Sequence, residues 1–356
     1  MSHIPSRRAF LAGGVASLGI AAGAAAHAAP PSHSNGQGKG HGYGRGNGRG
    51  HGHGNQAGKD GAPVEKPEQG GVKPMTGPLQ FGYFRTWHDK AADPTRPNSI
   101  ADVPREVDLV FVFPDYTPPE NPFWSTLRDQ YVPTLHSRGQ RLVRTTDIRS
   151  VLDKRFEDNP AGHRANAEAI IEEMVEAQNL DGLDIDMESA LDADQTIRAM
   201  KVFEQLATFI GPESGTDKLF IYDTNRDGEV RLFQRTAHLF DYVLLQAYGR
   251  SPSSLDSTWQ TFAPFIPASK FMPGFSFYEE RDGNRWNDTA EPFETSRAAA
   301  YADWQPKTAG TSGEAKKAGI FSYAIDRDWV ALGDDAIKPA TYDWSKRLKA
   351  RMLAAG

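Results

Sequence analysis

The chain has no cysteine among its 356 residues. That excludes disulfides, thiolate metal sites, a cysteine nucleophile and a cysteine-linked lipid. A basic surplus is also missing: 40 Lys+Arg against 46 Asp+Glu leave a net charge of −6, whereas gripping a nucleic-acid backbone calls for a strongly basic face. No run dense in Leu, Ile and Val reaches the length of a membrane span. The nearest stretch, residues 9–26, is Ala-rich and broken by glycines. What is present is unevenly spread, and the unevenness divides the chain.

Ser6-Arg7-Arg8-Ala9-Phe10-Leu11 forms a twin-arginine pattern, followed by the weakly apolar run and small residues around Ala26-His27-Ala28. A charged start, a short apolar middle and a small-residue end predict a twin-arginine export signal over 1–28 and a secreted, extracellular mature protein. Residues 29–76 are low in complexity, with glycine at nearly every second position across 36–54. Such a segment has nothing apolar to offset its ordering entropy, so it is expected to be a disordered linker. His41, His51 and His53 offer metal donors there, but a flexible spacer is the simpler reading.

From residue 77 to 356 the texture changes. Apolar, β-branched and aromatic runs fall at 79–87, 107–113, 141–146, 182–187, 218–222, 242–247, 271–275 and 319–323. Helix-period segments lie between several of them. Residues 165–178 place Ala167, Ile170, Ile171, Met174 and Val175 on one face; residues 194–209 do so with Ile197, Met200, Val202, Phe203, Leu206 and Phe209. Alternating β and α implies a parallel sheet covered on both faces, and eight repeats in about 250 residues fit a single closed (β/α)8 TIM barrel. An open doubly wound sheet is second, but no Gly-rich phosphate turn follows the first run.

One run carries chemistry. In Asp181-Gly182-Leu183-Asp184-Ile185-Asp186-Met187-Glu188 the side chains alternate, so Asp184, Asp186 and Glu188 share a face opposite Leu183, Ile185 and Met187. In a barrel the apolar set faces the helices and the acids point inward near the C-terminal end, where barrel active sites are built. Three crowded carboxylates repel, and at least one must hold a proton near neutrality. A solvated edge strand would not need apolar alternates. A hard-cation site is the other reading, although no supporting histidine is near in sequence. A proton donor tuned by its neighbours fits best, with Glu188 as general acid. Asp181 breaks the alternation and reads as a structural acceptor.

These eight residues resemble the D-x-x-D-x-D-x-E signature of glycoside hydrolase family 18. Tyr83-Phe84-Arg85-Thr86-Trp87-His88-Asp89-Lys90, Leu245-Gln246-Ala247-Tyr248-Gly249, Phe275-Ser276-Phe277-Tyr278-Glu279-Glu280 and Phe321-Ser322-Tyr323-Ala324-Ile325-Asp326-Arg327-Asp328 are similar to its bacterial endo-β-N-acetylglucosaminidase branch. The likeness covers essentially all of 77–356, the expected catalytic domain. It implies a substrate-assisted retaining mechanism, an exception to the two-carboxylate scheme. The 2-acetamido oxygen of the sugar attacks its own anomeric carbon and forms an oxazolinium ion. In that scheme Glu188 is the general acid and base, Asp186 stabilises the oxazolinium, and Asp184 is the proton partner of Asp186. Tyr248 holds the acetamido oxygen and Gln246 contacts the same group.

The resemblance further implies N-glycans or N-glycoproteins as substrate and no cofactor or metal. Nucleic acid, a membrane after signal removal and an oligomer are not expected, so a monomer is the default. Strand six lacks the Met-x-Tyr-Asp of many chitinases, strand eight lacks their terminal Trp, and no inserted domain of about seventy residues fits between strands seven and eight. Cleavage of the β-1,4 bond in the di-N-acetylchitobiose core is therefore expected, ahead of chitin oligomers or a catalytically silent sugar-binding barrel. Tyr83, Arg85, Tyr278, Glu279, Trp286 and Tyr323 are the candidate substrate-binding residues. Which face of strand one turns inward stays open. Trp286, in a polar loop, is the best stacking candidate; Trp87, Trp124, Trp304 and Trp329 read individually as packing residues. His88, Asp89 and Asp326 have no role derivable from the sequence.

Overall fold

The computed structural model describes residues 75–355 apart from 308–312 and 314. The expected export signal and residues 29–74 of the expected linker, including His41, His51 and His53, lie outside the described residues. Eight parallel strands close in chain order: β1 (Leu79–Arg85), β2 (Leu109–Phe113), β3 (Arg141–Asp147), β4 (Gly182–Asp186), β5 (Leu219–Thr224), β6 (Tyr242–Gln246), β7 (Phe271–Ser276) and β8 (Gly319–Tyr323). Closure pairs β8 with β1, setting Leu79 beside Gly319 and Gly82 beside Ser322. The barrel reading holds and the open sheet falls away.

The helices are α1 (Phe123–Thr126), α2 (Val132–Ser137), α3 (Pro160–Met174), α4 (Ala193–Leu206), α5 (Arg231–Thr236), α6 (Leu255–Phe262), α7 (Arg297–Asp303) and α8 (Asp343–Ala355). Each β-to-β crossover carries one or two, except the first, which holds only the short turns Thr86–His88 and Ile100–Asp102. Pro94, Pro97 and Pro104 punctuate that crossover, removing amide donors and disfavouring helix just before each ring. Among the described residues no helix is long and apolar enough to cross a membrane.

Helix α3 starts where Asn159 accepts from the Gly162 amide, with Pro160 at the first position. Helix α4 starts on a reciprocal cap: Asp192 accepts from the Gln195 amide at 2.8 Å, and Gln195 accepts from the Asp192 amide at 3.0 Å. Caps of this kind contribute about 1 kcal/mol. Ala167, Ile170, Ile171 and Val175 pack inward as expected, with Met174 half-buried. On α4 the buried stripe is Ala199, Val202, Phe203 and Leu206, while Ile197 is 49% exposed. That corrects the expected face: Ile197 is rotated off the i, i+3, i+4, i+7 stripe that the other four define.

Two apolar layers result. Outside the sheet, Phe203, Phe220 and Phe240 meet edge-to-face at 4.8–5.6 Å. Inside, Phe81 packs on Phe111 and Tyr242, and Tyr83 stacks on Phe111 at 4.0 Å. Above this filled floor the acid row lies toward the C-terminal end of the strands.

Candidate active site

Strand β4 delivers its acids at increasing height. Leu183, Ile185 and Met187 are fully buried on the opposite face; Asp184 is sealed inside, while Asp186 and Glu188 are half-buried toward the opening. The Tyr83 hydroxyl donates to Asp184 Oδ2 at 2.9 Å and Thr145 Oγ1 donates to the same oxygen at 3.0 Å. Asp184 Oδ1 is buried and meets no hydrogen-bond donor. Burial first, and the neighbouring Asp186 second, push the Asp184 carboxyl well above the usual carboxylate range, against the two donors. A proton on Oδ1 neutralises the group and gives that oxygen a hydrogen to share.

Asp186 is held from the far side. Gln246 Nε2 donates to Asp186 Oδ1 at 3.0 Å and to Asp223 Oδ2 at 2.8 Å. Both amide hydrogens are thus spent on carboxylates, and Gln246 is a bracket for Asp186 rather than a free donor toward a sugar. Asp223 was not anticipated from the sequence. It lies directly across from Asp186 in the β4–β5 register, and its signal was a single charge near the end of an apolar strand. The exit of β4 is fixed by Met187 N donating to the Asp223 carbonyl and Thr224 Oγ1 to the Met187 carbonyl, both at 2.7 Å. Glu188 follows at once. Asp181 is the structural acceptor expected, taking the Leu142 amide at 2.7 Å and pairing with His136 Nε2 at 2.8 Å.

Asp186 and Glu188 open into a cleft also lined by Trp87, Phe113, Asp115, Tyr116, Thr145, Thr146, Asp147, Glu279 and Tyr323. Trp87 meets the exposed Tyr116 edge-to-face at 4.9 Å, so it is a cleft wall rather than core packing. Tyr248, half-buried beyond β6, stands 6.0 Å from the Tyr323 ring. Trp286 is 43% exposed and lies across Gly249, where a Cβ would come within 2.6 Å of its indole. Gly249 has φ +70°, which glycine adopts without strain.

Three expected binding residues are placed otherwise. Arg85 is fully buried: Nε and Nη2 clasp Asp326 at 3.1 and 2.7 Å, and Nη1 reaches Glu280 at 3.0 Å and Glu279 at 3.3 Å. Tyr83 faces inward, so the open question about β1 is resolved, but its hydroxyl serves Asp184. Tyr278 is buried and donates to Asp335 at 2.7 Å. Glu279 and Tyr323 do line the cleft, joined by a 3.3 Å hydrogen bond. His88 completes the Arg85 group, with Nδ1 on Asp326 at 2.8 Å and Nε2 on Glu280 at 3.1 Å. Burial opposes the charge on His88, but hydrogen bonds to Asp326 and Glu280 raise its pKa. Burial likewise opposes ionisation of Glu280, yet His88 and Arg85 bring it to about 2. Asp89 braces the first crossover, accepting from Ala91 N, Ile100 N and the Tyr131 hydroxyl at 2.7, 2.7 and 3.0 Å.

Comparison with known proteins gives a consistent picture. The model of the endo-β-N-acetylglucosaminidase EndoS TIM-barrel domain matches residues 82–322. The chain is 44% identical to endo-β-N-acetylglucosaminidase F2 of Elizabethkingia meningoseptica, over 76% of this chain and 80% of that protein. It is 43% identical to endo-β-N-acetylglucosaminidase EndoSd of Streptococcus dysgalactiae, over 75% of this chain but only 35% of that longer protein. Among solved structures, the apo endo-β-N-acetylglucosaminidase of Cordyceps militaris superposes with a TM-score of 0.74 at 43% identity, over 78% of this chain and 92% of that one. A variant of that enzyme, with an aspartate-to-asparagine and a glutamate-to-glutamine exchange two positions apart, holds fucosyl-N-acetylglucosamine-Asn.

Proposed function

We propose, because this chain belongs to the endo-β-N-acetylglucosaminidase family with the EndoS-type TIM barrel, that it hydrolyses the β-1,4 bond of the di-N-acetylchitobiose core of N-glycans. One N-acetylglucosamine would remain on the protein. The observation that carries this reading is the graded row Asp184, Asp186, Glu188, with the innermost carboxyl sealed beneath the other two and the outermost opening into the cleft.

Glu188 donates its proton to the departing oxygen and afterwards takes one from water. Asp186, bracketed by Gln246, receives the acetamido N–H and balances the positive charge of the oxazolinium ion. Asp184 shares its Oδ1 proton with Asp186, so the charge on Asp186 follows the reaction while Tyr83 and Thr145 keep the inner carboxyl in place. Tyr248 orients the acetamido oxygen toward the anomeric carbon. Positioning an internal nucleophile lowers a barrier by about 7–11 kcal/mol, so the substrate's own amide replaces a second protein nucleophile. Trp286, Glu279, Tyr323 and Trp87 contact the sugars flanking the bond. Export through the twin-arginine pattern at Arg7-Arg8 would deliver the enzyme to extracellular glycoproteins.

The test is product analysis. Full-length protein is incubated with an N-glycoprotein and, separately, with chitin oligomers, followed by mass spectrometry. Released glycans ending in one N-acetylglucosamine support the reading; cleavage of chitin oligomers alone turns it into a chitinase. Sugar binding without bond cleavage leaves a silent barrel.

A further inference from the structure

Neither the acid row nor the cleft wall explains the buried carboxylate Asp288, which lies between Trp286 and α7. Asp288 Oδ2 accepts from the Ser276 amide at the end of β7 at 2.9 Å. Its two oxygens accept from the Gly249 amide at 3.2 and 3.3 Å, one residue past Tyr248. Arg297 Nη1 pairs with Asp288 Oδ1 and also donates to the Trp286 carbonyl at 2.7 Å. One carboxylate therefore touches the turn after β6, the end of β7 and, through one guanidinium, the loop of Trp286.

We propose that Asp288 is a positioning residue that locks the turn bearing Tyr248 to the loop bearing Trp286, so that the acetamido-orienting hydroxyl and the stacking indole take one shared arrangement. The inference rests on the reading of the cleft given above. Three features favour coupling over mere packing. The indole lies directly on Gly249, so displacing the turn displaces the ring. Tyr301 holds the flanks of the same turn, its hydroxyl standing 2.6 Å from the Ala247 carbonyl oxygen and 2.7 Å from that of Arg250, while Asp288 takes the Gly249 amide between them. The Asp288 bond to Ser276 at 2.9 Å is a carboxylate-to-amide bond, the stronger class of hydrogen bond, and the Gly249 amide shared between both carboxylate oxygens lies in the same fully buried setting.

Steady-state kinetics of the full chain on a defined N-glycopeptide tests this, with Asp288→Asn, Tyr248→Phe, Trp286→Ala and the double variant Asp288→Asn/Tyr248→Phe. Asp288→Asn is expected to lower kcat at least tenfold, as Tyr248→Phe does, and to raise KM several-fold, as Trp286→Ala does. The double variant should lose little beyond the single ones, because residues acting as a unit do not add. Acrylamide quenching of the Trp286 emission, taken as the difference from Trp286→Ala, should increase in Asp288→Asn. A folded Asp288→Asn with kcat and KM within twofold of wild type, or fully multiplicative losses in the double variant, overturns the proposal. Should Asp288→Asn fail to fold, Arg297→Gln replaces it: KM rising more than kcat falls is expected, and an unchanged KM overturns the coupling. If the wild type releases no glycan, the reading of the cleft fails, and the quenching experiment alone decides the role of Asp288.

Discussion

Two carboxylates at the same end of the barrel, Asp184 and Asp326, are 0% and 1% exposed, yet their protons are held in opposite senses. Burial pushes both upward. Beside Asp184 stands another acid, Asp186, and its carboxyl rises well above the ordinary range. Beside Asp326 stand the Arg85 guanidinium and His88, and they drive its pKa far below that range. Desolvation alone makes a carboxyl neutral; a fixed cation reverses the outcome. The acid row thus favours a held proton, whereas the Arg85 cluster favours charge and holds Glu279 at the cleft.

The largest expected effect separates chemistry from binding: Glu188→Gln should reduce glycan release by about 10²–10⁴-fold, with glycopeptide affinity retained by calorimetry. Next comes a mirrored pair that could break the comparison. Asp184→Asn mimics the neutral acid and should retain most of the fold, with kcat lowered by about 10²-fold. Asp326→Asn removes the fully buried member of the Arg85 ion pairs, leaving Glu279 and Glu280, and should destabilise by about 3 kcal/mol in urea unfolding. Stability loss in the first and pure kcat loss in the second would erase the distinction.

The pH dependence sharpens it. His88 has a raised pKa, so its contribution is full below the ordinary imidazole value and is lost as pH rises through the raised one. Glu280 has a depressed pKa, so its contribution is present above the ordinary carboxylate value and is lost as pH falls toward about 2. Asp184 runs the other way from Glu280, favouring the fold while protonated and losing that advantage as pH climbs. Urea unfolding across pH should therefore show the gap between wild type and His88→Gln narrowing on the alkaline side. The smallest effect is expected of Tyr83→Phe, about 1 kcal/mol, from loss of one of two donors to Asp184.

Much of this was legible in the sequence because strand runs and the alternation of Asp184, Asp186 and Glu188 are local patterns. Strand β8 was placed to the residue, and the others within a few positions. What escaped depends on register or on long separations. Asp223 looks like an isolated charge until β5 is aligned with β4. Arg85 resembles a cleft residue because its strand neighbours do, yet its partners Glu280 and Asp326 lie 195 and 241 positions away. Tyr278 follows a strand end, as cleft residues do, but Asp335 from the last loop draws its hydroxyl away. No periodicity marks such encounters.

The seam between the first and eighth strands has a consequence for biosynthesis. Arg85 leaves the ribosome early and Glu279 and Glu280 follow after the seventh strand, but its fully buried mate Asp326 emerges only when synthesis has passed the final strand. Until then the nascent barrel carries an incompletely paired cation and an unsealed edge. The cleft is therefore assembled late, so a polypeptide halted before position 326 would lack the closed brace behind Glu279 even though Glu188 had long been made.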